Sequence, residues 1–320
     1  MNKSRRDALR LITAAGLSFG FSAQAQSKML HMVVPLTPGT TPDLIARAIG
    51  PGVLGRIDMN YVVENRPGAS GMIGMKHVAQ STDPATLLII PATTVTLPFF
   101  YKNLGFDVLS SFTPITQVAS SSFVLVVGKD VPATNLKEFI TWGKSGSKGF
   151  YGSPGNGTHH HLFMELLLQA TGLKLEHIAY KGSGPLTQDL AGGHIATMFM
   201  PIQIAVPLRD GGRLKIIGGS LRERHPGFPE IPSLHEQGAT NFHADPWYAV
   251  WGAPGVTPKQ AETYRKAITQ SLNDASVKEN LTQQGLILKT STPDELLAMT
   301  REEQVLWTQM LNASGIKPAG

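Results

Sequence analysis

Cysteine is absent from the whole chain of 320 residues. The protein therefore has no disulfide bond, no thiolate nucleophile and no thiolate metal site. Its stability must come from the burial of side chains, and a chain of this length commonly divides into two lobes around separate cores.

Long apolar runs are also missing. The apolar stretch at residues 11–21 is shorter than the roughly 20 residues that a membrane span requires. It follows the pair Arg5-Arg6 and precedes Ala23-Gln24-Ala25, which has the small-x-small form of a cleavage site. We therefore interpret residues 1–25 as a twin-arginine signal peptide and expect a periplasmic protein that begins near Gln26.

Basic residues form no cluster along the chain. Residues 1–25 contain four basic residues and one acidic residue, so their removal lowers the net charge from +5 to +2. The remaining Lys and Arg residues are scattered without an aromatic stripe, which argues against a nucleic-acid partner. The twin-arginine route often carries proteins that fold around a cofactor, but this chain shows no cofactor motif and we expect none.

Apolar runs alternate with segments of helical periodicity, a pattern typical of a layered α/β fold. No low-complexity linker separates two halves of the chain, so we expect it to cross between lobes on strands or short hinges. The predicted strands are residues 30–34, 61–64, 87–90, 123–127, 149–152, 175–179, 195–200, 214–218 and 248–253.

Three helix boundaries can be predicted from local residues. Thr257 and Thr292 are each followed by proline and then by Gln or Glu at the third helical position, which is the pattern of a capped helix start. Pro51 predicts that the helix after Asp43 ends or kinks near Gly50.

Three glycine-rich junctions, each between a predicted strand and a predicted helix, carry the main functional signal. They are residues 35–43, 152–158 and 180–185. Such a loop leaves backbone N–H groups unpaired at the positive end of the helix dipole, where an anion can bind. Together they predict one cleft lined by main-chain donors for a small anion. The alternative is that these glycines only form tight turns and helix caps.

Other ligands and activities fit these motifs poorly. No junction has the Gly-Lys-Ser/Thr ending of a nucleotide-binding P-loop. Adjacent residues on a helix point about 100° apart, so His159, His160 and His161 cannot face one metal ion, and we expect no metal site. Ser153 lacks the Gly-x-Ser-x-Gly pattern of a hydrolase, so we expect no catalytic residue and no enzyme.

Individual polar residues in the junctions have two interpretations each. His161 either lines the cleft, where a protonated imidazole favours an anion, or belongs to a polar first turn. Asp43 either contacts a ligand through water or caps the following helix. Lys181 either supplies a countercharge or is an ordinary exposed lysine.

Several of these segments resemble the substrate-binding receptors of tripartite tricarboxylate transporters, also called Bug proteins. The resemblance covers nearly the whole mature chain. It rests on the loop at residues 35–43, Val-Glu-Asn-Arg-Pro-Gly-Ala-Ser-Gly at 63–71, the loop at 151–158, Tyr180-Lys181-Gly182 and Ala-Pro-Gly-Val-Thr-Pro at 253–258.

This resemblance implies a two-lobed periplasmic binding protein of the Venus-flytrap kind (type II), an α/β fold in which each lobe is a mixed sheet flanked by helices. Lobe 1 would comprise residues 26–127 and 249–320, and lobe 2 residues 128–248. It also implies a monomer that binds a di- or tricarboxylate or an aromatic acid and delivers it to membrane transporter subunits. A signalling partner is the alternative to the transporter.

The ligand would be held by loops from both lobes, largely through backbone amides and ordered water. The ligand-binding residues expected from the junctions and the resemblance are Thr37, Gly39, Thr40, Thr41, Asp43, Thr93, Thr94, Ser153, Asn156, Gly157, Thr158, His161, Tyr180, Lys181, Gly182 and Ser183.

The chain departs from the family pattern at two places in the expected site. Its first loop reads Gly39-Thr40 and Pro42-Asp43, so Thr40 adds a hydroxyl and Pro42 removes an N–H. After the strand at 195–199 the family often has an aspartate, whereas this chain has Met200-Pro201. The missing countercharge disfavours a ligand with an ammonium group.

Overall fold

The computed structural model describes residues 28–145, 149–242, 244 and 246–314. The predicted signal peptide lies outside the described residues. The strands, in chain order, are β1 (Met29–Val34), β2 (Asn60–Asn65), β3 (Thr86–Pro91), β4 (Thr113–Ser121), β5 (Phe123–Gly128), β6 (Phe150–Ser153), β7 (Glu176–Ala179), β8 (Thr197–Pro201), β9 (Leu214–Gly219), β10 (Trp247–Gly252) and β11 (Leu286–Leu288).

Helices cover both sheets. They are α1 (Thr41–Leu54), α2 (Met72–Ala79), α3 (Leu97–Phe100), α4 (Leu136–Lys144), α5 (His159–Thr171), α6 (Ser183–Gly192), α7 (Ile202–Asp210), α8 (Pro258–Leu272), α9 (Ala275–Gln283) and α10 (Pro293–Ser314). Two short 3-10 helices, Ala69–Gly71 and Ala92–Thr96, complete the described elements.

The strands form two mixed sheets, which confirms the predicted α/β architecture. The first sheet has the order β11-β4-β10-β3-β1-β2, and the second has the order β7-β6-β8-β5-β9. In the first sheet β1 pairs in parallel with β2 and β3, whereas β10 runs antiparallel to β3 and β4. In the second, β6 pairs in parallel with β7 and β8, and β5 runs antiparallel to β8 and β9.

The chain crosses between the sheets at two neighbouring points. It leaves the first sheet after β4 and returns at β10, where Trp247 pairs with Ser120. The Ser121 N–H also donates to the Pro246 carbonyl at 2.9 Å, so the two crossing segments are bonded to each other. The two chain crossings between the lobes are therefore adjacent.

These crossings differ from the predicted lobe limits of 127/128 and 248/249. Strand β5 was assigned to lobe 1, but it pairs with β8 and β9 in the second sheet. The predicted limits came from the family resemblance, and β4 was not predicted as a strand from the sequence. Its residues include the buried polar Thr116, Gln117 and Ser120, which break the apolar pattern expected of a central strand.

The helix boundaries follow their local signals in two cases and not in the third. Thr257 and Gln260 form the predicted capping box, and the Glu295 N–H donates to Thr292 Oγ1 at 3.2 Å. Of the two outcomes predicted near Gly50, an end or a kink, the end is wrong, because α1 continues through Pro51 to Leu54. Burial of one face of α1 against α8, with a 2.8 Å bond from Ser271 Oγ to the Ile49 carbonyl, outweighs the lost backbone bond.

The buried core is continuous across the lobes. One cluster of buried side chains contains residues from both sheets together with Trp307 and Leu311 of α10. The Trp307 ring stacks near Phe163 of α5, with ring centroids 6.3 Å apart. The C-terminal helix therefore contacts both lobes.

Candidate functional site

A cavity of about 550 Å³ lies between the two sheets. All three glycine-rich junctions contribute to its lining, from the loops that follow β1, β6 and β7. Because β6 and β7 are parallel neighbours, their carboxyl ends direct both following helix starts to the same edge of the second sheet. The convergence predicted for the three junctions is therefore present in the structure.

The first junction joins β1 to α1 and is held from behind by Asp43. The carboxylate accepts hydrogen bonds from the Gly39 N–H at 2.9 Å, Arg47 Nε at 3.1 Å and Asn65 Nδ2 at 2.9 Å. Burial raises the pKa of Asp43, but the hydrogen bonds from Arg47, Gly39 and Asn65 outweigh it and hold the pKa below its ordinary value. Asp43 is thus an ionised group that fixes the loop and lies outside the cavity lining.

The second junction leads from β6 into α5. Gly155 and Gly157 have positive φ angles of 152° and 75°, which bend the chain into the helix start. Thr158 occupies the N-cap position, but its hydroxyl donates to the Gly155 carbonyl at 2.8 Å and does not cap the helix. The first backbone N–H groups of α5 are therefore left for another acceptor.

His161 does not line the cavity, although a place in the lining was one of the two interpretations of this residue. Its ring is buried outside the cavity lining, and Nδ1 accepts the Gly157 N–H at 3.1 Å. The ring stacks on His177 with centroids 4.1 Å apart. Burial, reinforced by His177, lowers the pKa of His161 to about 3, so the ring is neutral at neutral pH. It supports the loop as an acceptor and cannot supply a cation there.

His159 and His160 line the cavity instead of His161. Both rings pack against Phe123, with centroid distances of 5.3 and 5.0 Å. Burial lowers the pKa of His160 to about 3 and that of His159 well below its ordinary value. These imidazoles are therefore neutral parts of the lining.

The third junction joins β7 to α6. Tyr180 donates its hydroxyl to Asp189 Oδ2 at 2.6 Å, and burial together with this bond raises the pKa of Tyr180 to about 12. Gly182 has a φ of 117°, and its side-chain position faces Thr37 of the first lobe. Lys181 is exposed and lines the cavity.

Loops from the two lobes touch directly around the cavity. Ser70 Oγ donates to the Asn156 carbonyl at 3.0 Å, and Thr96 Oγ1 donates to the Gly157 carbonyl at 3.1 Å. On the opposite side, Gln203 Nε2 donates to Thr41 Oγ1 at 2.7 Å. These bonds describe a closed arrangement of the two lobes.

Most of the expected site residues meet at the cavity. The lining includes Thr37, Thr40, Thr41, Thr93, Thr94, Asn156, Gly157, Thr158, Tyr180, Lys181, Gly182 and Ser183. Four expected residues do not line it, namely Gly39, Asp43, Ser153 and His161. Ser153 is buried behind the loop, where its hydroxyl lies 2.7 Å from His177 Nε2.

One loop of the site was not predicted from the sequence. Residues 67–71 line the cavity, and Ala69 and Ser70 adopt left-handed φ angles of 47° and 54°. This loop was treated only as part of a family signature, although its Pro-Gly-Ala-Ser-Gly composition is that of a tight turn. Tyr101 and Tyr248 also line the cavity and were not predicted. These two tyrosines belong to no sequence motif, so nothing in the sequence indicated that they line the cavity.

The described residues contain neither a cluster of metal-ligating side chains nor a membrane-spanning helix. Among residues 28–145, 149–242, 244 and 246–314, no group of three His, Asp or Glu side chains is arranged to hold a metal ion. Within the same part of the chain, none of the helices combines the length and apolar character needed to cross a bilayer.

Two mixed α/β sheets joined by two crossings, with a solute-sized cleft between them, define the periplasmic binding protein class. The chain belongs to the tripartite tricarboxylate transporter family of receptors, TctC, whose model matches residues 45–316. The resemblance seen in the sequence is thereby confirmed. Members of this family are periplasmic solute-binding proteins, so the chain is a solute-binding receptor and not an enzyme.

Individual relatives agree with this assignment. Protein BugT of Bordetella pertussis is 28% identical over 312 residues, which cover 96% of this chain and 95% of that protein. The structure of the periplasmic binding protein BugD has a TM-score of 0.85 and 27% identity, covering 91% of this chain and 99% of BugD. R. palustris Rpa4515, solved with adipate, has a TM-score of 0.87 and 26% identity, covering 92% and 99%.

Proposed function

We propose that this receptor captures a small organic carboxylate between its two lobes and delivers it to a membrane transporter of the tripartite tricarboxylate type. The observation that carries the proposal is the convergence of three junctions, with the starts of α1, α5 and α6, on one cavity. Backbone N–H groups at helix starts favour anions. The relative solved with adipate supports a carboxylate ligand.

The ligand contacts follow from the lining. Main-chain groups of residues 155–159 and 181–183 would hold a carboxylate from the second lobe, with Lys181 as a nearby cation. Thr37, Thr40 and Thr41 would complete the shell from the first lobe. Such dipoles interact most strongly with a charge when water is excluded, so a closed cleft suits this mode of binding.

Transport can be separated from signalling by measuring uptake. A carboxylate that raises the melting temperature of the purified protein is given in labelled form to cells that lack either the receptor or the membrane subunits encoded in the same organism. We expect each deletion to abolish most of the uptake, with restoration by the missing gene. Uptake that persists without the receptor, together with loss of a transcriptional response to the ligand, would assign the protein to a sensor instead.

Export by the twin-arginine route is a separate expectation. Replacing Arg5 and Arg6 together with Lys should prevent accumulation of the mature protein in the periplasm, because the pair is the recognised element of this signal. Cell fractionation and immunoblotting measure the outcome. The matched control is Arg10→Lys, which makes the same change outside the pair and should leave export intact. Equal periplasmic amounts of all three forms would contradict the expectation.

A further inference from the structure

The cavity contains very little ionic charge for a receptor of carboxylates. Among the described residues that line it, Lys181 is the one Lys, Arg, Asp or Glu residue. The two lining histidines are neutral because they are buried against Phe123. The nearby acidic and basic pair, Asp43 and Arg47, is engaged behind the first loop.

Most of the polar donors belong to the junctions. They come from the three helix starts and from the threonines of the first lobe, and Ser70, Tyr101, His159, His160 and Tyr248 add further polar groups. A single carboxylate at this position can use the dipoles of several helices together. A second carboxylate on the same ligand would have to extend away from these groups.

Another part of the lining is apolar. Met198 and Met200 project from β8 on the same face, since side chains two apart on a strand share a side. Ile204 of α7 continues this face. Phe123 of β5 lines the cavity from the opposite face of the second sheet, and Met75 and Leu97 approach from the first lobe. Methionine side chains adapt their shape to irregular apolar groups.

This distribution of charged and apolar groups determines which chemical groups are favoured in the part of the ligand beyond its bound carboxylate. An apolar group leaving water for this face gains binding free energy in proportion to its area. A carboxylate buried there would lose its hydration without gaining a partner of opposite charge. The Met200-Pro201 segment likewise offers no carboxylate to an ammonium group. The apolar face therefore selects against either charge.

We infer that the preferred ligand is a monocarboxylate with an uncharged aliphatic or aromatic body, whose carboxylate lies at the helix starts and whose body contacts Phe123, Met198, Met200 and Ile204. This inference rests on the proposed carboxylate-receptor function and narrows it. It also sets the chain apart from a receptor whose ligand carries a carboxylate at both ends.

Matched pairs of acids test the inference directly. Isothermal titration of the purified mature protein is carried out with butyrate and succinate, hexanoate and adipate, and benzoate and terephthalate. Each pair differs in its second carboxylate. We expect the monocarboxylate of the best-binding pair to bind at least about tenfold more tightly than its partner. Tighter binding of the dicarboxylate would overturn the inference but leave the proposed function standing. No binding by any of the six acids would contradict the proposed function itself.

A charge placed on the apolar face provides a second test. Ile204 is half-buried at the start of α7 and lines the cavity. We expect Ile204→Lys to shift the ratio of affinities about tenfold toward the dicarboxylate of each pair. The matched control is Ile73→Lys, which adds the same charge at an exposed position of α2 outside the lining and should leave the ratio unchanged. An unchanged ratio in a folded Ile204→Lys protein, checked by its melting curve, would contradict the assignment of this face.

Discussion

The free energy of unfolding of the mature protein should fall by more than about 3 kcal/mol as the pH is lowered from 7 to 5. The physical reason is the group of histidines around α5. Burial lowers the pKa of His160 and His161 to about 3 and that of His177 to about 4, and it lowers the pKa of His159 well below its ordinary value. Urea unfolding at a series of pH values measures the effect.

The direction of this dependence follows from proton binding in the two states. Below about pH 6.5 these histidines take up protons in the unfolded chain but not in the folded one, so acid favours unfolding. Their stabilising contribution is complete above pH 6.5 and is lost as the pH falls toward their folded pKa values. Glu165 acts in the opposite sense, because burial raises its pKa despite the hydrogen bond from Tyr151. The effect of this one carboxyl group on the free energy of unfolding is smaller than the combined effect of the four histidines.

Substitution of one buried histidine should make the free energy of unfolding less dependent on pH. His177→Gln removes a titrating group, while the amide can still bond to the Ser153 hydroxyl, which lies 2.7 Å from His177 Nε2. The matched control is His77→Gln on the exposed side of α2. We expect the first variant to lose less stability between pH 7 and 5 than the wild type and the control. Coincident slopes for all three proteins would show that His177 does not contribute.

The second large effect concerns Gly157 at the contact between lobes. A Cβ atom at this position would lie 2.7 Å from Phe100 Cδ2 and 3.3 Å from Thr96 Oγ1, both in the first lobe. We expect Gly157→Ala to weaken ligand affinity by about tenfold to a hundredfold, because the overlap opposes closure over the ligand. Isothermal titration with the best monocarboxylate measures the change.

Gly172 provides a closely matched control for the same substitution. Its φ of 69° is close to the 75° of Gly157, but no described atom lies within 4 Å of its Cβ position. Gly172→Ala should therefore cost about 1 to 2 kcal/mol of stability through backbone strain and leave affinity unchanged. Full affinity in Gly157→Ala would mean that the bound state does not use this contact between the lobes.

The sequence predicted much of the fold because most strands carry their own apolar signal. Every strand predicted from an apolar run is present within a few residues of its expected limits. Strand β4 was missed because its buried polar groups are satisfied by distant residues. Thr116 Oγ1 donates to the Ser291 carbonyl at 2.9 Å, and the Gln117 N–H donates to Ser291 Oγ at 2.9 Å. The local sequence around β4 gives no indication of a partner as distant as Ser291.

The site was predicted at the level of loops but not of every side chain. Glycine and helix-start signals are local, so the three junctions could be found from the sequence. Which histidine faces the cavity depends on how α5 is rotated against the sheet, and this rotation is set by packing of Phe163 and Leu167. Similarly, the role of Asp43 in fixing the first loop depends on a hydrogen bond from Asn65, which lies on the neighbouring strand β2.

Because the two crossings are adjacent, the second lobe can be exchanged for that of a relative as one segment. The segment of residues 122–246 leaves the first sheet after β4 and returns to it at β10, and the Ser121–Pro246 hydrogen bond joins these two points. A chimera with a relative therefore needs only two nearby splice points. Such a graft would exchange the α5 and α6 starts and the apolar face together, while the first-lobe threonines stay in place. The stacked pair Phe163 and Trp307 spans the boundary, and a donor lobe must therefore keep an aromatic residue at position 163.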